Sequence, residues 1–235
     1  MAQLKCILWD LDNTLWDFDG NASLALHQLY NTHQLGNKLA KTAQEFAAVY
    51  SRVNAAYWTQ YEKGEVDKET LRTRRFVDSL KEMGLDEDEQ PVGLWKEYLD
   101  ICPTIPNLMP HVLEVVKELS GTYKMGLVTN GFEITQHIKI ECSGLKPYFD
   151  FLLSSEHFGF PKPDKRIFEE ALRLANYKAD ECIYIGDNLN TDVMGGLNAG
   201  IRTAWYTKEK EEINHPLYLG EIENLQDFVT LIKDL

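Results

Sequence analysis

In Leu4-Lys5-Cys6-Ile7-Leu8-Trp9-Asp10-Leu11-Asp12-Asn13-Thr14 an apolar run of strand length stops abruptly at two carboxylates two residues apart. In an open α/β sheet, ligands bind in the crevice beyond the carboxyl ends of the strands. Asp10 and Asp12 are therefore the first candidates for chemistry. Asp and Asn also punctuate strands as turn formers, so D-x-D-x-T taken by itself leaves a site and a plain turn equally open.

The far half of the chain supplies the context. From Cys102 onward strands and helices alternate: strands at Lys124 to Thr129, Phe151 to Ser154, Cys182 to Gly186 and Arg202 to Tyr206. Helical patterns separate them at about His111 to Leu119, Glu133 to Ser143, Asp164 to Ala175, Asp192 to Ala199 and Leu225 to Leu231. Such alternation specifies an α/β fold, a doubly wound parallel sheet covered by helices on both faces. The first strand belongs to that sheet although a long segment intervenes.

That intervening segment, residues 17–102, reads differently. Its apolar residues, such as Phe46, Val49, Tyr50, Val53 and Tyr57, fall at helical spacing, and no strand pattern is visible. One helix opens on the capping box Thr42-Ala43-Gln44-Glu45 and stops before Gly64; a second runs from Asp67 to Gly84; a third covers roughly Glu87 to Leu99. Pro103, Pro106 and Pro110 then mark the return to the main domain. The domain reading is residues 1–16 with 103–235 as an α/β core, and 17–102 as an inserted all-helical domain.

Each later strand ends in something polar. Val128 runs into Thr129-Asn130-Gly131; the strand ending at Ser154 leads to Pro161-Lys162-Pro163-Asp164; Ile185 runs into Gly186-Asp187, with Asp192 five residues on. Neighbouring parallel strands end side by side, so Asp10, Asp12, Thr129, Lys162, Asp187 and Asp192 should converge on one rim. Carboxylates packed together repel one another, and a hard divalent ion such as Mg²⁺, which takes a few carboxylates and keeps waters, is the natural partner. With a hydroxyl and an amide at Thr129 and Asn130 and an ammonium at Lys162, the set describes a clamp for a phosphoryl group. One carboxylate can then act as nucleophile while a second protonates the leaving oxygen and later activates water. Asp192 also reads as an N-cap for the helix that follows it.

Composition narrows the partners. A net charge of -13 repels nucleic acid and anionic lipid, and the short basic run Arg72-Thr73-Arg74-Arg75 reads as a solvated helix face. No apolar run reaches the ~18 residues of a membrane span, and the N-terminus lacks a secretory pattern, which points to the cytoplasm. Four scattered cysteines without a C-x-x-C pair read as reduced thiols, and none of the six histidines stands at metal-ligand spacing.

Together, Asp10-Leu11-Asp12-Asn13-Thr14, Val128-Thr129-Asn130-Gly131, Lys162-Pro163 and Gly186-Asp187 with Asp192 resemble the four motifs of the haloacid dehalogenase (HAD) superfamily, complete and in that family's order. The helical segment stands where the family's C1-type cap does. The resemblance implies a Rossmann-like core with a helical cap. By position it implies Asp10 as nucleophile, Asp12 as general acid/base, Thr129 as phosphate ligand and Lys162 as support for both phosphate and nucleophile. It further implies Mg²⁺ held by Asp10, Asp187 and the carbonyl of Asp12, with Asp192 supporting the metal site. The acid at position 12 favours phosphoester chemistry over dehalogenation in this family.

Substrate choice falls to the insert. Its aromatics, Tyr50, Tyr57, Trp58, Tyr61, Phe76, Trp95 and Tyr98, are expected mostly in a small core, with the remainder able to stack on a flat base. The stretch Tyr57 to Glu65, Thr129 to Phe132, Gln136, Gly144-Leu145 and Tyr148-Phe149-Asp150 are similar to bacterial pyrimidine 5'-nucleotidases of noncanonical nucleotides. The expectation is a Mg²⁺-dependent phosphomonoesterase of nucleoside monophosphates, monomeric or homodimeric. A sugar-phosphate phosphatase like the N-acylneuraminate-9-phosphatases, a phosphomutase, and a regulatory protein on the same fold are the alternatives.

Overall fold

A computed structural model describes residues 3–233 and 235. The chain forms two compact units, Met1–Asp17 with Pro106–Leu235, and Phe18–Ile105.

The first unit is built on six parallel strands: β1 (Cys6–Trp9), β2 (Lys124–Thr129), β3 (Phe151–Ser154), β4 (Cys182–Gly186), β5 (Arg202–Tyr206) and β6 (Tyr218–Ile222). Their order across the sheet is β3-β2-β1-β4-β5-β6, so β1 sits centrally and the chain reverses its winding there. Alternate residues of a strand face opposite sides of the sheet. Cys6 and Leu8 pack with Ile167, Phe168 and Ala171 of a helix at Lys165–Ala175, whereas the Trp9 ring meets Phe228 of a helix at Leu225–Lys233 edge-on at 5.3 Å. Helices thus cover both faces, as the alternating pattern requires. The sixth strand was not expected. It is one of the two edge strands, mostly half-buried, with Gly220 at φ 105° and a register shift against β5, and it lacks a continuous apolar run.

The second unit contains α1 (Phe18–Thr32), α2 (Ala43–Glu62), α3 (Lys68–Glu82) and α4 (Leu94–Ile101), and among the described residues it holds no strand. The α2 capping box forms as read: Glu45 N–H donates to the Thr42 hydroxyl and Thr42 N–H to the Glu45 carboxylate. The expected third helix is corrected. Glu87–Glu89 is an isolated 3-10 turn, and Gly93, at φ 81°, delays the true helix to Leu94. Arg75 is corrected as well: it is buried in this unit, donating to Asn54 and lying 5.5 Å from the ring centroids of Phe76 and Tyr98, so only part of the basic run is solvated. Among the described residues no helix is long and apolar enough to cross a membrane.

Candidate active site

The site is assembled within the first unit, where β1 gives way to a tight turn. Asp10 N–H still donates to Ile185 O, extending the ladder by one residue, and Asn13 takes φ 62°, bending the chain so that Trp16 N–H donates to Leu11 O. The turn brings the Thr14 hydroxyl to Asp10 Oδ2 at 3.0 Å. The other oxygen, Oδ1, accepts from Lys162 Nζ at 2.6 Å.

Lys162 is 3% exposed, and its ammonium is shared: it also donates to Asp192 Oδ1 at 2.6 Å and to the Tyr184 hydroxyl at 3.1 Å. Tyr184 in turn donates to Asp192 Oδ1 at 2.8 Å. Asn130 holds the lysine's own backbone from both sides, its Oδ1 accepting from Lys162 N at 2.8 Å and its Nδ2 donating to Lys162 O at 3.1 Å. The Asn130 side-chain amide therefore orients Lys162.

Asp192 was expected at the head of a helix, or as its cap. Instead a π-helical turn spans Leu189–Val193, capped by the Asn188 side chain, and Asp192 lies inside it with 1% exposure. The turn aims the carboxylate back over the end of β4, where Asn188 N–H donates to its Oδ2 at 3.1 Å. Only glycine fits below it: a Cβ at Gly186 would stand 2.4 Å from Asp192 Cγ.

Oxygens of Asp10, Asp187 and Asp192 lie within 4.8 Å of one another. Against these three carboxylates stands the single ammonium of Lys162. Burial raises the Asp10 carboxyl to about 7, with Lys162 opposing and Asp192 adding to the rise. Burial, then the charges of Asp10 and Asp192, lift Asp187 to about 8. Lys162 is held well above its usual range, because Asp10 and Asp192 outweigh the burial that disfavours its charge. A cluster of hard oxygens whose acids hold protons near neutrality for want of positive charge fits a divalent cation.

Asp12 goes elsewhere. Its carboxylate is not part of that trio; Oδ1 accepts from Lys139 Nζ at 2.6 Å and Oδ2 from Gln136 Nε2 at 2.9 Å. Gln136 Nε2 also donates to the Thr129 hydroxyl at 2.8 Å, which ties Thr129, at the end of β2, to Asp12.

Sequence reading missed Tyr184 and Lys139 as members of this network. Tyr184 sits in an apolar run, and Lys139 on a helix has the look of surface decoration; only burial distinguishes them.

A family model described as haloacid dehalogenase-like hydrolase matches residues 4–200. The pyrimidine 5'-nucleotidase YjjG of Escherichia coli K12 is 30% identical over 207 residues, 88% of this chain and 87% of that protein. A glyceraldehyde 3-phosphate phosphatase of Methanocaldococcus jannaschii is 32% identical over 246 aligned positions, covering 99% of this chain and 98% of that one. Among solved structures, the magnesium-bound putative HAD-hydrolase YfnB of Bacillus subtilis, 27% identical, matches with a TM-score of 0.86 over 99% of this chain and 100% of that chain.

Proposed function

This chain belongs to the haloacid dehalogenase-like hydrolases, and on that premise we propose that it is a Mg²⁺-dependent phosphomonoesterase acting on pyrimidine nucleoside 5'-monophosphates. The observation that carries the phosphatase reading is the pairing of Asp10 with Lys162 and of Asp12 with Lys139. It supplies two carboxylates in distinct surroundings, one for attack and one for proton transfer.

In this reading Asp10 attacks phosphorus and the ester P–O bond breaks, its electron pair leaving on the ester oxygen, which takes a proton from Asp12. The aspartyl phosphate is then hydrolysed by water that Asp12 deprotonates, returning Asp10 as carboxylate. Lys162 and the Thr129 hydroxyl hold the phosphoryl oxygens. Asp10, Asp187 and the Asp12 carbonyl are the proposed holders of Mg²⁺, with Asp192 steadying the site through Lys162. When bound, the ion neutralises the charge of phosphate and carboxylates.

The nucleotide preference draws support from the likeness to YjjG and from half-buried aromatic rings on the helical unit, where Trp58 and Tyr61 stand edge-to-face at 5.7 Å. We assign selectivity to that unit as a cap. The four free cysteines suit a reducing compartment such as the cytoplasm. A second reading, a triose- or sugar-phosphate phosphatase, is favoured by the 32% identity to the archaeal enzyme.

A screen of purified protein with Mg²⁺ against UMP, dTMP, glyceraldehyde 3-phosphate and hexose phosphates separates the two. Turnover is expected to be highest with UMP or dTMP; strong turnover of the sugar phosphates with none of either nucleotide overturns the substrate assignment. Asp10→Asn should leave a folded, inactive protein by kinetics and thermal melt. EDTA should stop the wild-type reaction and added Mg²⁺ restore it.

A further inference from the structure

The two motif aspartates do not share one cation. Lys162 serves Asp10, and a second buried ammonium, Lys139, serves Asp12. Lys139 is 4% exposed on a helix at Glu133–Cys142; its Nζ is 2.6 Å from Asp12 Oδ1 and 4.4 Å from the centroid of the fully buried Trp16 ring. An ammonium is costly to remove from water unless it is paired, so its place between a carboxylate and an indole face is not that of a space-filling residue. Gln136, three residues earlier and hence on the same helix face, holds the other Asp12 oxygen at 2.9 Å.

Gln136 has a second effect. The Thr129 hydroxyl accepts from Gln136 Nε2 at 2.8 Å and from Gly131 N–H at 3.0 Å. A hydroxyl has two acceptor lone pairs and one proton, so with both lone pairs engaged its proton is directed away to a further acceptor. One helix face therefore sets both the orientation of Asp12 and the donor sense of Thr129.

We propose that Lys139, acting with Gln136, is a positioning residue that holds the Asp12 carboxyl in place for proton transfer to the departing oxygen. This rests on the phosphatase reading above. Lys139 neither gains nor loses a proton in the cycle; the proton passes from Asp12 to the leaving oxygen and is replaced from water.

The test is the leaving-group dependence of kcat/KM in Mg²⁺, using p-nitrophenyl phosphate and phenyl phosphate. p-Nitrophenolate departs with little need of a proton, whereas phenolate, the conjugate base of a phenol with pKa of about 10, needs one. Lys139→Met should lower kcat/KM for both esters but about tenfold further for phenyl phosphate, within the usual range for a residue that orients a reacting group. Lys139→Arg should recover most of that difference. Lys139→Gln, which keeps a donor and removes the charge, is measured beside them in case the methionine variant does not fold, and should show the same differential. Equal losses on the two esters, or an arginine variant no better than methionine, would overturn the inference. A wild-type protein inert toward both esters and every phosphate in the screen would instead sink the phosphatase reading itself.

Discussion

The smallest residue in the site controls one of its most charged. Gly186 has no side chain, and Asp192 fills the space a Cβ would take, which lets the carboxylate reach Lys162 and Tyr184. Gly186→Ala should push Asp192 off Lys162, and because that loosens the lysine's hold on Asp10, kcat should fall about 10- to 100-fold. Kinetics with a thermal melt would check this; unchanged turnover would show that Asp192 is dispensable. Asp187 offers the complementary case. Burial and its acidic neighbours raise it, Lys162 opposing, so it should bind a proton in the folded protein at a pH where the unfolded chain has lost it.

Among elements, the π-helical turn at Leu189–Val193 sets the position of Asp192. It starts because the Asn188 side chain accepts from the N–H groups of Asn190 and Thr191 at 2.9 and 3.0 Å, satisfying donors that have no partner within the turn. Asn188→Ala should cost about 1 kcal/mol of stability, read by urea unfolding, while Asn188→Ser should cost less because serine is also a good cap. The helix at Glu133–Cys142 plays the corresponding part for Asp12 and Thr129, since residues three apart on one face reach both. Gly131 permits it: a Cβ there would meet Gln136 Nε2 at 1.8 Å.

At the scale of the whole molecule the excess of acid governs the response to pH. Asp10 and Asp187 are raised to about 7 and about 8 from 3.8, so the folded state binds more protons than the unfolded state across that interval. The contribution of these two groups to the stability of the cation-free protein should therefore be fully present below about pH 4 and be lost as pH rises toward 8. Asp187→Asn removes one source of repulsion. In chelator it should raise Tm at pH 8, by roughly 2–4 °C for each kcal/mol relieved, and leave it unchanged at pH 4. Mg²⁺ should stabilise the wild type more at pH 8 than at pH 5, in a thermal-shift series, and should stabilise Asp187→Asn less.

Much of this was legible in one dimension. The central strands β1, β2 and β4 are largely apolar runs ending in polar groups, as burial on both faces favours, and the alternation of strands with helices leaves a parallel sheet as the consistent arrangement. The family motifs follow from the same strand ends. The strand at Tyr218–Ile222 was not legible, because Gly220 and Glu221 interrupt its apolar pattern where half-burial tolerates them. The family resemblance implied Lys162 beside Asp10, but the other pairings were not legible: Lys139 with Asp12, the turn of Asn130 toward Lys162, and the hydroxyl of Tyr184 as a partner all depend on side chains brought together across more than twenty residues of chain. Local pattern fixes which face of an element is apolar, whereas the partner of a buried charge is decided only when the elements close around it and water is gone.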